Sequence, residues 1–170
     1  MILSGTPPSG EIRRWMGFIE MELITFLEMK RYSKKYVQFV EEQGFDGIIS
    51  IWESRLQYIF DTNYYFIEEY INDLSKRKII AEILSNCEVA EEQHLERIKE
   101  LDEIFKEKTL ETKESITHYS GWGSDDPSDV FSNMLGFKVE KINKNWFYFR
   151  VPRHRMEEWG IINTDLVGVE

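Results

Sequence analysis

Apolar positions recur at steps of three and four along residues 46–74. Because an α-helix turns once in about 3.6 residues, this spacing places them along one side of a helix. Further aromatic residues lie off that stripe, and a helix that is apolar all round is typically contacted from several sides. The pattern predicts one continuous helix, about 40 Å long, at the centre of a helical bundle. The positions on the stripe are Ile48, Trp52, Leu56, Ile59, Phe60, Asn63, Ile67, Tyr70, Ile71 and Leu74, and those off it are Tyr58, Tyr64, Tyr65 and Phe66.

The preceding residues, 11–43, show the same rhythm and predict a first helix. Lys30 and Ser33 interrupt its apolar stripe, so we expect either a bend there or a rim position where the lysine side chain reaches water. Gly44 is expected to end the helix, because glycine accepts the left-handed conformation that helix ends favour. Asp46 is expected to cap the next helix. A link this short predicts that the two helices run antiparallel.

A third helical segment is predicted for residues 75–112, with a break near Asn86 because Ser85 and Glu88 match a capping box. His94 lies on its apolar side and is expected to be a hydrogen-bonded core residue. The opposite side carries a row of carboxylates, which is typical of a solvated face and is also suited to docking a basic partner. The carboxylates that we assign to partner binding are Glu92, Glu96, Glu100 and Glu103.

The composition changes after residue 113, where turn-forming residues become frequent. A short helix is expected to start at Pro127. Two stretches of alternating apolar and polar residues, 136–142 and 145–151, then predict a β-hairpin. Residues 165–169 are a candidate third strand, because an isolated hairpin is only marginally stable.

These elements predict a mainly α fold for the 170 residues, which is a length that suits one domain with a small annex. Residues 1–113 are expected to form an antiparallel bundle of three or more helices. Residues 114–170 are expected to form a small C-terminal α+β annex that contains the β-hairpin and packs on the bundle.

The formal net charge of −10 narrows the classes of partner. It argues against nucleic acid and against an anionic membrane, because both require a basic face. It favours a basic protein partner, attracted at long range, although acidity can also serve solubility alone. Cys87 is the only cysteine, so neither an internal disulfide nor a thiolate cluster is expected. Neither a signal peptide nor a membrane span is predicted, and we expect a cytoplasmic protein.

Metal ligands are sparse. A carboxylate-bridged metal pair in a helical bundle needs Glu-x-x-His on two helices. The sequence has a single copy, Glu91 to His94, so we expect no metal and no other cofactor. The turn-rich segment contains Asp125, Asp126 and Asp129, and such carboxylates suit a hard cation. A metal-dependent hydrolase that uses these residues is therefore the alternative function.

A small basic cluster stands out in this acidic chain. At the end of a hairpin it is suited to holding an anion. It is equally suited to pairing with Glu157, Glu158 or the acidic helix, and we favour pairing because opposite charges within one small domain usually meet. The members of the cluster are Arg150, Arg153, His154 and Arg155.

In composition, as an acidic chain rich in aromatic residues, the sequence resembles the immunity proteins and antitoxins that block basic nuclease toxins. The resemblance covers no motif and transfers no residue roles. It favours a non-enzymatic module that binds and inhibits a basic partner. The predicted contacts are the carboxylate row of the third helical segment or the turn-rich segment with Asp125, Asp126 and Asp129, and Trp122 or tyrosine residues are the candidate aromatic anchors. For Trp122 the alternative is that its ring folds back onto the bundle, which we favour because most large aromatic side chains are buried. A homodimer through the aromatic surface of the central helix and a mimic of nucleic-acid charge are further alternatives.

Overall fold

The protein is described by a computed structural model, which covers residues 22–121, 128 and 145–169. Its helices are α1 (Leu23–Met29), α2 (Lys34–Asp61), α3 (Ile67–Asn86) and α4 (Glu92–Lys108). Its strands are β1 (Thr109–Glu111) and β2 (Arg150–Pro152), and 3₁₀ turns occur at Ile116–Tyr119, Trp146–Phe149, Arg153–Arg155 and Asn163–Asp165. The prediction of a mainly α fold with a small β component near the C-terminus is confirmed.

The three long helices form an antiparallel bundle, as predicted. Arg55, six residues before the end of α2, pairs with Asp73, six residues after the start of α3. Two contacts between α2 and α4 follow the same order along both helices, because Asp46 lies beside His94 and Phe60 lies beside Lys108. Consequently α2 and α4 run the same way, and α3 runs against both.

The predicted central stripe forms much of the bundle core. Burying side chains of this size is worth roughly 1.5–3 kcal/mol each. Phe105 of α4 is buried in the same core, where its ring centroid lies 5.9 Å from that of Trp52 in α2. The stripe residues that are buried are Ile48, Trp52, Leu56, Ile59, Ile67, Tyr70, Ile71 and Leu74.

The prediction of one continuous helix over residues 46–74 is wrong, because the chain leaves helical geometry between α2 and α3. Thr62 and Phe66 are both extended, with ψ of 140° and 154°. The Phe66 N–H donates to the Glu69 carboxylate at 2.8 Å, which caps the start of α3. The break allows the Tyr65 ring to turn into the core and its hydroxyl to reach Asp73. Tertiary contacts thus override a local pattern that favours helix.

The predicted break at Gly44 is confirmed, although α2 continues beyond it. Gly44 has φ 68° and ψ −162°, a conformation that essentially only glycine adopts. The two arms of α2 meet closely at this kink, because a Cβ on Gly47 would lie 2.5 Å from the Gln43 Cβ. The predicted cap by Asp46 is wrong, since its carboxylate lies 3.1 Å from His94 Nε2 instead.

The bend predicted near Lys30 and Ser33 is confirmed as the connection between α1 and α2. Arg31 has a positive φ of 60° there, and Ser33 Oγ caps α2 by accepting a hydrogen bond from the Tyr36 N–H at 3.2 Å. Residues 11–21 of the predicted first helix lie outside the described residues.

The break predicted near Asn86 is also confirmed, but its predicted cap is wrong. The Ser85 hydroxyl donates to the Ala81 carbonyl at 3.0 Å, inside α3. The cap of α4 lies further on, where the Glu91 N–H donates to His94 Nδ1 at 2.9 Å. The prediction that His94 is a hydrogen-bonded core residue is therefore confirmed.

The strand pair forms differently from the predicted hairpin. β1 follows α4 directly and pairs antiparallel with β2, with Leu110 opposite Val151. Residues 146–149, predicted as strand, form a 3₁₀ turn because Phe147 and Tyr148 are both buried. Neighbouring residues of a strand point to opposite faces, so a strand could not bury both rings in one core. The other predicted strand, 136–142, and most of the short helix expected at Pro127 lie outside the described residues.

The candidate third strand contributes one bridge, between Thr112 and Leu166. The Val167 N–H donates to the Glu111 carbonyl and the Lys113 N–H to the Asp165 carbonyl, so the last described residues close over the end of β1. The C-terminal segment also packs on the bundle, because Tyr70 of α3 donates its hydroxyl hydrogen to the Arg150 carbonyl at 2.7 Å.

Candidate functional site

The four glutamates predicted to bind a partner form one exposed stripe on α4, which we call the glutamate ridge. Their spacing of four, four and three residues keeps them within roughly a quarter of the helix circumference and spreads them over about 16 Å. The opposite side of α4 is buried against the bundle by His94, Ile98, Leu101 and Phe105. The residues of the ridge are Glu92, Glu96, Glu100 and Glu103, and all are exposed.

Cations on the same helix neutralise only part of the ridge. Arg97 bridges Glu100 at 3.0 Å and also contacts Glu53 of α2. Lys106 lies 4.0 Å from Glu103. Exposed pairs of this kind contribute about 0–1 kcal/mol, so a stronger cation can displace them. The ridge therefore remains available as an anionic surface.

A second exposed feature is the break between α2 and α3, residues 62–66, which we call the aromatic loop. Tyr64 is 73% exposed and Phe66 is 54% exposed, and their rings pack edge to face with centroids 5.0 Å apart. Tyr65 between them is 1% exposed. Two rings of the loop therefore face solvent, while the buried ring of Tyr65 fastens the loop to the core.

Side chains from the C-terminal segment hold the aromatic loop by its carbonyl groups. Arg155, itself buried, donates to the Thr62 carbonyl at 2.5 Å and to the Asn63 carbonyl at 3.3 Å. Trp159 Nε1 donates to the Tyr65 carbonyl at 3.3 Å. Three carbonyls of the loop are therefore held by the C-terminal segment, which restrains the exposed rings.

The Tyr65 hydroxyl takes part in a hydrogen-bond network around the buried carboxylate of Asp73. It donates to the Asp73 carboxylate, which also accepts two hydrogen bonds from Arg55, at 2.7 and 2.9 Å. Burial and this bond to a carboxylate raise the pKa of Tyr65 well above the usual tyrosine range. The hydroxyl therefore stays protonated and acts as a donor.

The aromatic loop was missed at the level of sequence, because Tyr64 and Phe66 were placed on a continuous helix. A local signal was present in Asp61, Thr62 and Asn63, three residues that favour turns and caps over helix interiors. Nothing local indicates that residues about 90 positions away would fix the loop.

The predicted basic cluster is brought to one end of the bundle, where its arginines bind backbone carbonyls. Arg150 donates to the Thr109 hydroxyl at 2.6 Å and to the carbonyls of Lys106 and Thr109. Arg153 donates to the Glu107 carbonyl at 3.3 Å. Cations at the last carbonyls of a helix complement its dipole, so these contacts stabilise the end of α4.

Among the residues that the structure describes, the favoured pairing of the cluster with a carboxylate is observed between Arg155 and Glu158 at 2.8 Å. His154 is exposed, and its ring lies 6.2 Å from that of Phe60. Partial desolvation, reinforced by the charge of Arg155, lowers the pKa of His154. Anion binding by the cluster stays a prediction.

Among the described residues, no group of three or more His, Cys, Asp or Glu side chains is placed to hold a metal ion. His94 Nδ1 accepts the N–H of Glu91, so in the neutral ring the proton is on Nε2. That nitrogen is 3.1 Å from Asp46 Oδ1, although the contact lacks hydrogen-bond geometry. The Glu91 to His94 spacing thus serves a helix cap in this fold.

The remaining predicted contacts belong to the turn-rich segment and lie outside the described residues. Trp122, Asp125, Asp126 and Asp129 are all in it. Their assignment to partner binding stays a prediction, and so does the alternative of a metal-dependent hydrolase.

Two cavities adjoin the connection between α1 and α2 and share Tyr32 in their linings, with volumes of about 260 and 250 Å³. The Tyr32 and Tyr36 rings stack there with centroids 4.9 Å apart. Burial raises the pKa of Tyr36 to about 12 and raises that of Tyr32 as well. These phenols therefore remain neutral at physiological pH.

In the part of the chain that the structure describes, no helix is both long enough and apolar enough to cross a membrane. Comparison of the sequence and the fold with protein-family models, with curated proteins and with solved structures finds no match.

Proposed function

We propose that the protein is a non-enzymatic binding module for a basic protein partner, of the immunity-protein or antitoxin type, and that the glutamate ridge receives this partner. The observation that carries the proposal is the position of the four glutamates, which lie together on the solvent side of a helix whose other side is buried. Basic groups of a partner can approach such a stripe without any rearrangement of the bundle.

The charge of the whole chain supports the same function. A net charge of −10 attracts a basic protein before contact, and such steering raises association rates well above those of neutral pairs. At physiological ionic strength the field decays over about 8 Å, so charges near the contact dominate. The spread of the ridge, about 16 Å, suits several lysine or arginine side chains at once.

The proposal is tested with a charge-reversal variant of the ridge, Glu96→Lys/Glu100→Lys/Glu103→Lys. The matched control is Glu28→Lys/Glu41→Lys/Glu42→Lys, which alters exposed residues of α1 and the first arm of α2. Both variants replace three negative charges by three positive ones, so both change the net charge from −10 to −4.

The full chain and both variants are immobilised and exposed to extract from source cells, and retained proteins are quantified by mass spectrometry. We expect wild type and control to retain the same basic protein and the ridge variant to lose it. The association rate measured with that purified protein should fall steeply with added salt. Equal retention by the ridge variant, or retention of no basic protein by wild type, overturns the proposal.

A further inference from the structure

The exposed rings of the aromatic loop are arranged as an interface anchor. Tyr64 and Phe66 present their rings to solvent, while Tyr65 between them is buried. Large aromatic side chains supply most of the anchor positions in protein interfaces. Isolated exposed apolar residues are ordinary, but here two rings in mutual contact project from one short loop.

The loop is also held in place before any partner arrives. Arg155 and Trp159 bind three of its carbonyls, and Glu69 accepts the N–H of Phe66. The ordering of loops and side chains is a main cost of association, so a fixed loop retains more of its contact energy as affinity. Rigid tyrosine-rich loops are used in this way by antibody binding sites.

The charges near the loop identify the chemistry of its ligand. Residues 57–69 carry Asp61, Glu68 and Glu69 and neither lysine nor arginine. Arg155, which holds the loop, is paired with Glu158, so the three carboxylates of residues 57–69 leave the surroundings of the loop negative. A cation that meets both a ring face and a carboxylate gains from each, and the planar guanidinium group of arginine suits both contacts best.

Two arginines in the described part of the chain show the same combination. The Arg55 guanidinium lies over the Tyr58 ring at 4.5 Å while it binds Asp73 through two hydrogen bonds. The Arg77 guanidinium lies over the Phe147 ring at 5.3 Å and binds a carboxylate in the same bidentate way. In each case a ring and a carboxylate together hold one arginine.

We infer that the aromatic loop receives an arginine side chain of the basic partner, which stacks on Tyr64 or Phe66 and is neutralised by the neighbouring carboxylates. This inference rests on the proposed function and adds a second contact surface to the glutamate ridge. The loop would provide the fixed anchor point, and the ridge would provide long-range attraction.

The test uses three synthetic peptides of the same length, with the sequence Gly-Ser-X repeated three times, in which X is arginine, lysine or citrulline. Citrulline keeps the shape of arginine and lacks its charge. Each peptide is titrated into the full chain, and the aromatic proton and carbon signals of Tyr64 and Phe66 are followed by NMR. We expect saturable shifts with the arginine peptide, weaker shifts with lysine and none with citrulline.

Two double variants give the control. Tyr64→Ala/Phe66→Ala should weaken binding of the arginine peptide roughly two- to fivefold, as the loss of one exposed cation–π contact implies. Leu84→Ala/Leu95→Ala removes two other exposed apolar side chains and should leave binding unchanged. All four side chains are exposed, so both variants should keep the fold, which their NMR spectra report directly.

Each other outcome counts against the inference. Equal shifts with citrulline would show a contact that ignores charge. Shifts that depend on protein concentration without peptide would assign the loop to a second copy of this chain. If the loop signals stay unmoved while the ridge variant still loses its partner, the inference fails and the proposed function stands. If the loop responds and the ridge charges prove irrelevant, the proposed function fails instead.

Discussion

Replacing Asp73 by alanine tests whether its buried network holds the aromatic loop in place. The Asp73 side chain is 4% exposed and accepts hydrogen bonds from Arg55 and from the Tyr65 hydroxyl. Asp73→Ala removes the acceptor of both donors, whereas Tyr65→Phe removes one donor and leaves the ion pair in place. The two variants therefore separate the hydroxyl from the salt bridge.

The expected magnitude follows from what each orphaned group can do. Arg55 is 35% exposed and can regain water, so the loss of its pair costs about 0–1 kcal/mol. The Tyr65 hydroxyl is buried, and leaving it without an acceptor costs about 1–3 kcal/mol. Alanine is the better helix former inside α3, which offsets about 0.5 kcal/mol. We expect Asp73→Ala to lower the free energy of unfolding by about 0.5–3.5 kcal/mol, the sum of these three contributions.

The assay is urea unfolding of wild type, both single variants and the double variant. Tyr65→Phe should cost about 1.5 kcal/mol, the lower value for a hydrogen bond to a charged group. The double variant should cost less than the sum, because removing the hydroxyl relieves the buried orphan, and the coupling should be about 1–2 kcal/mol. Additive costs, or an Asp73→Ala variant within about 0.5 kcal/mol of wild type, would refute this reasoning.

Other expectations concern the tyrosines, the kink, the loop and the ridge. Because burial raises the pKa of Tyr36 to about 12, the folded state holds its proton longer than the unfolded chain. The contribution of Tyr36 to stability should be constant below the unfolded tyrosine pKa of about 10 and should fall as pH rises toward 12. Urea midpoints measured across this range should fall less steeply in Tyr36→Phe than in wild type. Gly44→Ala should cost about 1–3 kcal/mol because of its backbone conformation, and an unchanged melting temperature would contradict this. Arg155→Lys should speed amide hydrogen exchange in residues 62–66 relative to the core of α3, because a lysine ammonium group cannot bind both carbonyls as the guanidinium group does. Equal protection in wild type and variant would show that Arg155 does not restrain the loop. Glu100→Lys should change the free energy of unfolding by less than about 0.5 kcal/mol in denaturation measurements, because its surroundings are exposed, and a larger loss would mean that the ridge is structural.

The positions of helices could be predicted from the sequence wherever local periodicity or residue type determines them. The repeat of Ile48, Trp52, Leu56 and Ile59 follows from the period of the helix itself and identifies the buried side of α2. The kink at Gly44 was accessible for the same reason, because the residue type determines which backbone angles are allowed. The exposed glutamates of α4 also follow from periodicity alone.

The elements that were predicted wrongly depend on contacts that helical periodicity does not report. The break before α3 is stabilised by Arg155 reaching the Thr62 carbonyl from 93 positions away. It also lets the Tyr65 hydroxyl reach Asp73, eight residues on, a separation of about 12 Å along a continuous helix. Residues 146–149 alternate as a strand would, yet Phe147 and Tyr148 both find room in the core. Patterns of period two or 3.6 report which side of an element is apolar, and they do not report where an incoming neighbour interrupts it.

The hydrogen bonds that fix the aromatic loop join residues separated by 92, 93 and 94 positions in the chain. A ribosome adds about 5–20 residues each second, so the loop emerges several seconds before the arginine and tryptophan that fasten it. The recognition surface inferred for this loop is therefore completed after the bundle, and a truncated product lacking residues 153–159 would retain the rings without the support that orients them.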